Sequence, residues 1–158
     1  MEKRELKQGI LKKLMSRFMR GGEDKAVNKD GRSKIRALVV DDSMVNRTIH
    51  HKLLQNLGIE NQVVGNGKEA VDAHSSGNYF DLILMDMDMP VMNGIEATRR
   101  LRAMGVRSLI AGVTTRSLEQ EKQEFMEAGL DDYQEKPLTA AKLVSIIHKI
   151  NQSSSTPR

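Results

Sequence analysis

The stretch LILMDMDMPVMNG, residues 82–94, places two carboxylates at the end of an apolar run. Asp86 and Asp88 are separated by one residue. A carboxylate in this position can attack a phosphoryl group, and two chemistries use this spacing. In an aspartate-nucleophile phosphatase the second aspartate acts as a general acid, whereas in a phosphorylation switch only Asp86 reacts. The rest of the sequence has to distinguish between them.

Further polar residues lie at the ends of other apolar runs. Asp41 and Asp42 follow IRALVV, Thr114 follows IAGV, and Lys136 closes the run DDYQEK. Three carboxylates that meet raise one another's pKa, and a hard divalent cation such as Mg²⁺ relieves this repulsion. With the cation bound, Asp86 stays ionised and can attack a phosphoryl group. Lys136 would neutralise the transferring oxygens, and the Thr114 hydroxyl would hydrogen-bond one of them.

These residues can meet only if the chain brings the ends of its apolar runs together. From residue 35 onward, short apolar runs alternate with amphipathic stretches. The runs predict strands, and the stretches predict helices, two of which end at Gly58 and Gly105. We expect strands at residues 35–40, 59–64, 80–85, 106–113 and 131–136, and helices at 44–58, 67–77, 94–105, 118–130 and 139–150.

This alternation indicates an α/β fold, a doubly wound five-stranded parallel sheet with helices on both faces. Such sheets bind ligands at the carboxyl ends of their strands. The candidate residues follow strands one, three, four and five, and therefore share that edge. Strand two ends instead in GNG, residues 65–67, which is too short for a nucleotide loop and is typical of a turn. Thr139 is the expected N-cap of the last helix.

The charge of the chain is unevenly distributed. The formal net charge is +4, yet residues 1–34 carry eleven Lys or Arg and five Asp or Glu, and residues 35–158 carry fourteen and sixteen. The basic character belongs to an N-terminal arm. With three Phe, two Tyr and no Trp, platforms for base stacking are scarce, so we expect no nucleic-acid partner. The absence of Cys excludes disulfides and thiol catalysis and agrees with a reducing compartment.

Four stretches together resemble the receiver domain of two-component response regulators. They are ALVVDDSMVNR, DLILMDMDMPVMNGIEATRRLR, IAGVTT and AGLDDYQEKPL, and the resemblance extends over residues 35–150. It implies a flavodoxin-like sheet of strand order 2-1-3-4-5. It also implies that Asp86 accepts a phosphoryl group from the phosphohistidine of a histidine phosphotransfer protein or a histidine kinase. The domain would catalyse its own phosphoryl transfer and dephosphorylation, and phosphohistidine phosphatase-like activity stays open.

The resemblance also assigns the ligands of a Mg²⁺ cofactor. Asp42 would be a direct ligand, with Asp41 assisting it. Asp86 and the backbone carbonyl of Asp88 would complete the ligands that the protein supplies. In this assignment the backbone of Asp88 has a role that is separate from that of its side chain.

The order of the motifs distinguishes the two chemistries open to the DxD pair. Haloacid-dehalogenase phosphatases also use a DxD, a Thr, a Lys and Mg²⁺, but their DxD follows the first core strand and their acid pair comes late. In this chain Asp41 and Asp42 come first, and Asp86 and Asp88 follow strand three. The order therefore favours the phosphorylation switch.

The remaining site residues are expected to bind, switch or tune. The resemblance implies that Thr114 and Lys136 bind the phosphoryl group, and that Tyr133 changes rotamer with Thr114 on activation. The carboxylate of Asp88 could tune the lifetime of the aspartyl phosphate, either by orienting water or by repelling hydroxide and anionic donors. Arg116, two residues past Thr114, could pair with Asp88 and cancel part of its charge.

Within the family, LRAMGVRSLIAGVTT and FMEAGLDDYQEKPLT are most similar to plant type-C response regulators. These are stand-alone receivers of the cytokinin-type phosphorelay, which implies a cytoplasmic or nuclear location, or both. No output domain is visible in the sequence beyond the receiver. We therefore expect a phosphate shuttle or sink.

The two ends of the chain differ in composition from the middle. Residues 1–20 predict a basic amphipathic helix, residues 21–34 a flexible linker and residues 151–158 a disordered tail. The helix could pack on the receiver or, through residues 3–20, contact a membrane surface or a calmodulin-like groove. These contacts suggest an alternative function, in which the protein is an interaction module that signals through this arm without phosphorylation. The apolar residues of the helix recur every four positions, at Leu6, Ile10, Leu14 and Phe18.

Overall fold

The computed structural model describes residues 34–115 and 118–153. All five predicted strands and all five predicted helices are present in this part of the chain. Among them, no helix is long and apolar enough to cross a membrane. The predictions for the helix at 1–20, for nearly all of the linker at 21–34, for Arg116 and for residues 154–158 lie outside the described residues.

Strands and helices alternate strictly along the chain. The strands are β1 (Arg36–Val40), β2 (Glu60–Val64), β3 (Leu82–Asp86), β4 (Leu109–Thr114) and β5 (Asp132–Glu135). The helices are α1 (Met44–Asn56), α2 (Gly67–Ser75), α3 (Gly94–Ala103), α4 (Glu119–Glu127) and α5 (Ala140–Ser153).

The five strands form one parallel sheet in the order β2-β1-β3-β4-β5, which confirms the predicted topology. Because side chains alternate between the faces of a strand, β1 contributes to two cores. Ala37 and Val39 pack with residues of α1 and α5, whereas Leu38 and Val40 pack with residues of α2, α3 and α4. Helices therefore cover both faces of the sheet. The edge formed by the carboxyl ends of the strands stays open between these helices.

Short capped connections bring the helices in directly after the strands at this edge. Ser43 caps α1, because its side chain accepts a hydrogen bond from the backbone of Asn46. Asn66 and Asn93 cap α2 and α3 in the same way. Thr139 accepts from the backbone of Lys142, which confirms it as the cap of α5. Each cap satisfies a backbone donor that the first helical turn leaves unpaired.

Three element boundaries differ from the prediction by three residues, and the other boundaries differ by at most two. Strand β4 begins at Leu109 rather than at residue 106, because the carbonyls of Val106 and Ser108 accept hydrogen bonds from Arg102 instead of joining the sheet. Helix α4 spans Glu119–Glu127, within the predicted 118–130. Helix α5 continues to Ser153, three residues into the predicted tail, since residues 151–153 contain no Gly or Pro to end it.

Candidate functional site

The end of β1 supplies two carboxylates in different environments. Asp41 is buried and Asp42 is exposed. The backbone amide of Asp41 donates to the carbonyl of Val64 at 3.2 Å, and its Oδ1 accepts from the backbone of Ser43 at 2.9 Å. The strand pairing and the start of α1 therefore hold Asp41 from both sides, while Asp42 faces solvent.

The end of β3 supplies the third carboxylate. Asp86 is the last residue of a strand that is buried throughout. The loop that follows returns to it, because the backbone amide of Gly94 donates to the carbonyl of Met87 at 2.9 Å. A Cβ on Gly94 would clash with the Asp86 carbonyl. Only glycine therefore fits at the start of α3, and this close approach fixes the backbone of Asp86.

Lys136, just after β5, joins the carboxylates. Its Nζ donates to Asp41 Oδ2 at 2.8 Å and to Asp86 Oδ1 at 3.1 Å. Its backbone amide donates to the carbonyl of Thr114 at 2.7 Å, which anchors the loop to the end of β4. The side chain of Lys136 is only 10% exposed. One ammonium group is thus shared between two buried carboxylates that lie far apart in the sequence.

The charges at this edge are not balanced, and the pKa values reflect this. Burial, followed by the negative charge of Asp41, raises the pKa of Asp86 to about 6, although the charge of Lys136 opposes the change. Burial alone would lower the pKa of Lys136, but its hydrogen bond to Asp41 and the charge of Asp86 outweigh it and raise that pKa. The ionised form of Asp86 is therefore electrostatically unfavourable in this site, and a further cation would stabilise it.

The three carboxylates fit a divalent cation. Asp41, Asp42 and Asp86 each offer an oxygen within 4.8 Å of the others. Mg²⁺ prefers a few carboxylate ligands together with retained water, and the exposure of Asp42 leaves one side of the cluster open to solvent. The donor set, its excess of negative charge and its access to water thus agree with the predicted Mg²⁺ site.

Thr114 and Tyr133 lie next to each other on neighbouring strands. Thr114 is buried at the end of β4, and a side-chain hydrogen bond joins it to Tyr133. Burial raises the pKa of Tyr133, and the hydrogen bond opposes the change. The Tyr133 ring packs edge-on against Phe125 with centroids 6.5 Å apart, and Lys122 Nζ lies 5.5 Å from its centroid. The two predicted switch residues are in contact, while their switching stays a prediction.

The loop that carries Asp88 has an unusual turn. Asp88 is exposed, as its predicted tuning role requires. Two residues further on, Pro90 accepts a hydrogen bond from the amide of Met92 at 2.8 Å, and Val91 between them has a φ of 69°. Few β-branched residues adopt this left-handed conformation. The pairing of Asp88 with Arg116 and the metal contact of the Asp88 carbonyl stay predictions.

Two residues near the acids were not predicted to be there. Arg47 Nη1 donates to the carbonyl of Asp41 at 2.8 Å. His50 is buried, and burial, opposed by the charge of Asp41, lowers its pKa. The position of His50 cannot be predicted from the sequence, because the helical phase that turns it toward Asp41 is not fixed by spacing alone. For Arg47 the only available signal was its position one turn after the cap Ser43.

Comparison with known proteins adds independent observations. The sequence profile of the response regulator receiver domain matches residues 37–148. Two-component response regulator 24 of Arabidopsis thaliana is 71% identical over 119 residues, which cover 75% of this chain and 86% of that protein. In that relative, as in this chain, the receiver accounts for most of the sequence, as the resemblance to plant stand-alone receivers implied.

Two solved structures share the fold. The receiver domain of the sensor histidine kinase PA1611 from Pseudomonas aeruginosa PAO1, with a magnesium ion in its active-site cleft, matches with a TM-score of 0.69 and 33% identity, over 76% of this chain and 99% of that one. The Saccharomyces cerevisiae complex of the phosphotransfer protein Ypd1 with the receiver of Ssk1 matches with a TM-score of 0.70 and 27% identity, over 78% and 92%. Profile, relative and site agree: the chain belongs to the response regulator receiver domain family.

Proposed function

We propose that this protein is a stand-alone receiver that takes a phosphoryl group onto Asp86 from a phosphohistidine partner. The observation that carries the proposal is the contact of Lys136 Nζ with both Asp41 and Asp86 at the open end of the sheet. A structural ion pair would match one cation with one anion. Here one ammonium contacts two carboxylates and a third lies close to them, an arrangement suited to receiving both a cation and a phosphoryl group.

In the transfer, an oxygen of Asp86 attacks the phosphorus and a P–O bond forms. The P–N bond to the imidazole of the donor breaks, and its electron pair stays on the imidazole nitrogen. Lys136 Nζ, already 3.1 Å from Asp86 Oδ1, neutralises the phosphoryl oxygens as their charge approaches. The Thr114 hydroxyl, at the end of the adjacent strand, donates to one of these oxygens. Positioning and electrostatics do most of the work.

Asp41, Asp42 and Asp86, with the backbone carbonyl of Asp88, would hold Mg²⁺. The bound metal supplies positive charge that keeps Asp86 ionised and lowers the repulsion between it and an incoming phosphate. The receiver solved with magnesium supports this cofactor. So does the arrangement of the three carboxylates, whose oxygens converge from the ends of two adjacent strands.

The partner we propose is a histidine phosphotransfer protein or a histidine kinase. The structural relative whose receiver was crystallised with the phosphotransfer protein Ypd1 supports the first, and the receiver of a sensor kinase supports the second. We further propose that the protein returns the group or loses it to water, as a shuttle or sink in a cytokinin-type relay of the cytoplasm, the nucleus or both. Similarity to the Arabidopsis regulator supports the plant context.

A time course with a labelled donor tests the proposal. The protein is incubated with a phosphorylated histidine phosphotransfer protein and Mg²⁺, and the label is followed on both chains. We expect label to appear on the wild type and not on Asp86→Ala, while Asp88→Asn, the matched control two residues away, still accepts it. Label that leaves the donor without accumulating on the receiver would identify a sink.

A second measurement separates the alternatives. Beryllofluoride with Mg²⁺ mimics an aspartyl phosphate, and we expect it to shift amide resonances around Asp86 in the wild type but not in Asp86→Ala. A wild type that neither responds to beryllofluoride nor takes up label would contradict the proposal and favour an interaction module that works through its basic arm. Turnover of free phosphate esters without a phosphohistidine partner would instead indicate a phosphatase.

A further inference from the structure

We propose that Arg47 is a positioning residue for the acid site, which holds the Asp41 carbonyl so that Asp42 points toward the bound cation. The inference rests on the proposed function. It begins from the hydrogen bond that Arg47 Nη1 donates to this carbonyl at 2.8 Å. The carbonyl belongs to the peptide that joins the two aspartates, so its orientation determines the direction in which the next residue leaves the strand.

The other groups of Asp41 are already held by separate partners. Its amide donates to Val64, its Oδ1 accepts from Ser43, and its Oδ2 accepts from Lys136. These bonds fix the side chain of Asp41. They do not fix the rotation of the peptide between Asp41 and Asp42, whose carbonyl accepts the hydrogen bond from Arg47. Asp42 is exposed, so packing does little to direct its carboxylate, and its direction depends on that peptide.

The guanidinium of Arg47 is itself flanked by the turn after β2. Glu69 Oε2 accepts from the amide of Gly65 at 2.5 Å, which brings its carboxylate over this turn. A Cβ on Gly65 would lie 3.4 Å from Glu69 Oε2 and 3.7 Å from Arg47 Nη1. The two opposite charges thus face the same small volume beside Gly65. The GNG turn, which carries no acid of its own, therefore lies beside both charged groups.

The sign of one measurement distinguishes positioning from simple charge. Arg47 is a cation close to a cluster that binds a cation, so its charge by itself repels Mg²⁺. If charge were its only contribution, removal of Arg47 would tighten Mg²⁺ binding. If Arg47 orients Asp42, its removal weakens binding, because outer partners that orient metal ligands typically contribute about 10–100-fold to metal affinity.

The experiment measures the Kd for Mg²⁺ of the full chain from the amide shifts of Asp41 and Asp42 at pH 8, where Asp86 is ionised. The variants are Arg47→Met, Arg47→Lys and the control Arg100→Met, whose side chain makes an exposed pair with Glu96. We expect Arg47→Met to bind Mg²⁺ about tenfold more weakly or worse. The control should bind as the wild type does. Arg47→Lys keeps the charge but not the planar donor, and should fall between wild type and Arg47→Met.

The dependence of the phosphoryl-transfer rate on Mg²⁺ concentration is a second readout, and a purely structural role of Arg47 would not change it. The slow transfer of Arg47→Met at low Mg²⁺ should return toward the wild-type rate when Mg²⁺ is saturating. Equal or tighter Mg²⁺ binding by Arg47→Met would overturn the inference, as would a rate that saturating Mg²⁺ does not restore. If Arg47→Met does not fold, a wild-type Kd in Arg47→Lys overturns it. A wild type that binds no Mg²⁺ would instead overturn the proposed function.

Discussion

The two edges of the sheet each carry a partly enclosed ion pair, and they use it differently. At the amino edge, Arg102 Nη2 lies 2.7 Å from Asp131 Oδ2, and its other nitrogens donate to the carbonyls of Gly129, Val106 and Ser108. One cation meets one anion, and the surrounding groups complete their hydrogen bonds. At the carboxyl edge, Lys136 meets two carboxylates at once, with Asp42 close by.

This contrast shows what separates a structural ion pair from a reactive one. The Arg102 pair is matched in charge and joins α3 to the starts of β4 and β5, so we expect it to stabilise the fold. The Lys136 cluster is buried and keeps an excess of negative charge, and burial together with the charge of Asp41 raises the pKa of Asp86 to about 6. Balanced charge favours fold stability, whereas an excess of negative charge favours the binding of a cation and, with it, of a phosphoryl group. The following predictions test whether the two roles can be separated.

The largest expected effect is on transfer at the carboxyl edge. Lys136→Met should slow phosphoryl transfer by about 10²–10³-fold, because it removes the donor that neutralises the phosphoryl oxygens. The matched control is Lys68→Met, since Lys68 lies outside the site and makes an exposed pair with Asp72. Single-turnover transfer from a labelled phosphotransfer protein measures both rates. Equal losses in the two variants would mean that Lys136 acts merely as a general positive charge.

The amino edge should respond in stability and not in transfer. Arg102→Met should lower the free energy of unfolding by about 2 kcal/mol, less than for a fully buried pair because both side chains are about one-fifth exposed. Urea unfolding measures the loss, with Arg100→Met as the exposed control. At a temperature where both variants are folded, transfer to Asp86 should be unchanged. A slower transfer in Arg102→Met would show that the ion pair at the amino edge also affects the reaction at the carboxyl edge.

The third prediction concerns pH. The folded metal-free protein binds a proton on Asp86 with a pKa of about 6, above the usual 3.8 of the unfolded chain. Its stability should therefore fall as the pH rises from about 4 to about 6, and stay lower above that. Asp86→Asn should be more stable than wild type at pH 8 by on the order of 1 kcal/mol, with no difference below pH 4.

Thermal unfolding without metal checks this third prediction, with a Tm difference of about 4 °C expected at pH 8. Asp131→Asn, at the balanced edge, should lower the Tm instead. Addition of Mg²⁺ should raise the Tm of the wild type more than that of Asp86→Asn, because the cation relieves the same repulsion. If the Tm of the metal-free wild type rose with pH while that of Asp86→Asn did not, the predicted direction of the pH dependence would be wrong.

The smallest expected effect belongs to Asp88. Asp88→Asn should change the half-life of the aspartyl phosphate in Mg²⁺ by less than about fivefold, because an exposed charge contributes at most about 1 kcal/mol. A longer half-life would show that the carboxylate orients water, and a shorter one that it repels hydroxide. Hydrolysis of the labelled protein after removal of the donor measures it. Equal half-lives in variant and wild type would end the tuning hypothesis.

Much of the fold follows from local patterns that tertiary contacts do not override. The parallel sheet, its strand ends and the cap Thr139 follow from apolar periodicity and helix-start signals. The start of β4 does not, because Val106 reads as a strand residue by its β-branched side chain. Its backbone is engaged elsewhere, because Arg102 of α3 donates to its carbonyl and its own amide donates to the carbonyl of Leu101.

The site divides in the same manner. Asp41, Asp42, Asp86 and Lys136 could be brought together from sequence, because the ends of parallel strands share an edge and each residue follows a recognisable run. Arg47 could not, because its contact is with a backbone carbonyl, which leaves no trace in residue types. The balanced pair of Arg102 and Asp131 was likewise not visible, since neither residue follows the carboxyl end of a predicted strand.

The shortness of β5 has a consequence for how the molecule opens. Among the strands that the structure describes, this four-residue strand lies at the border of the sheet and pairs with β4 alone, yet it leads directly into Lys136. Border strands are among the first parts of a domain to exchange their amide hydrogens. When β5 detaches, the acids lose their counter-ion, so partial opening and exposure of the full negative charge occur together. Hydrogen exchange in β5 should therefore become faster when Mg²⁺ is added, since the cation takes over the neutralising role that Lys136 gives up and stabilises the open state.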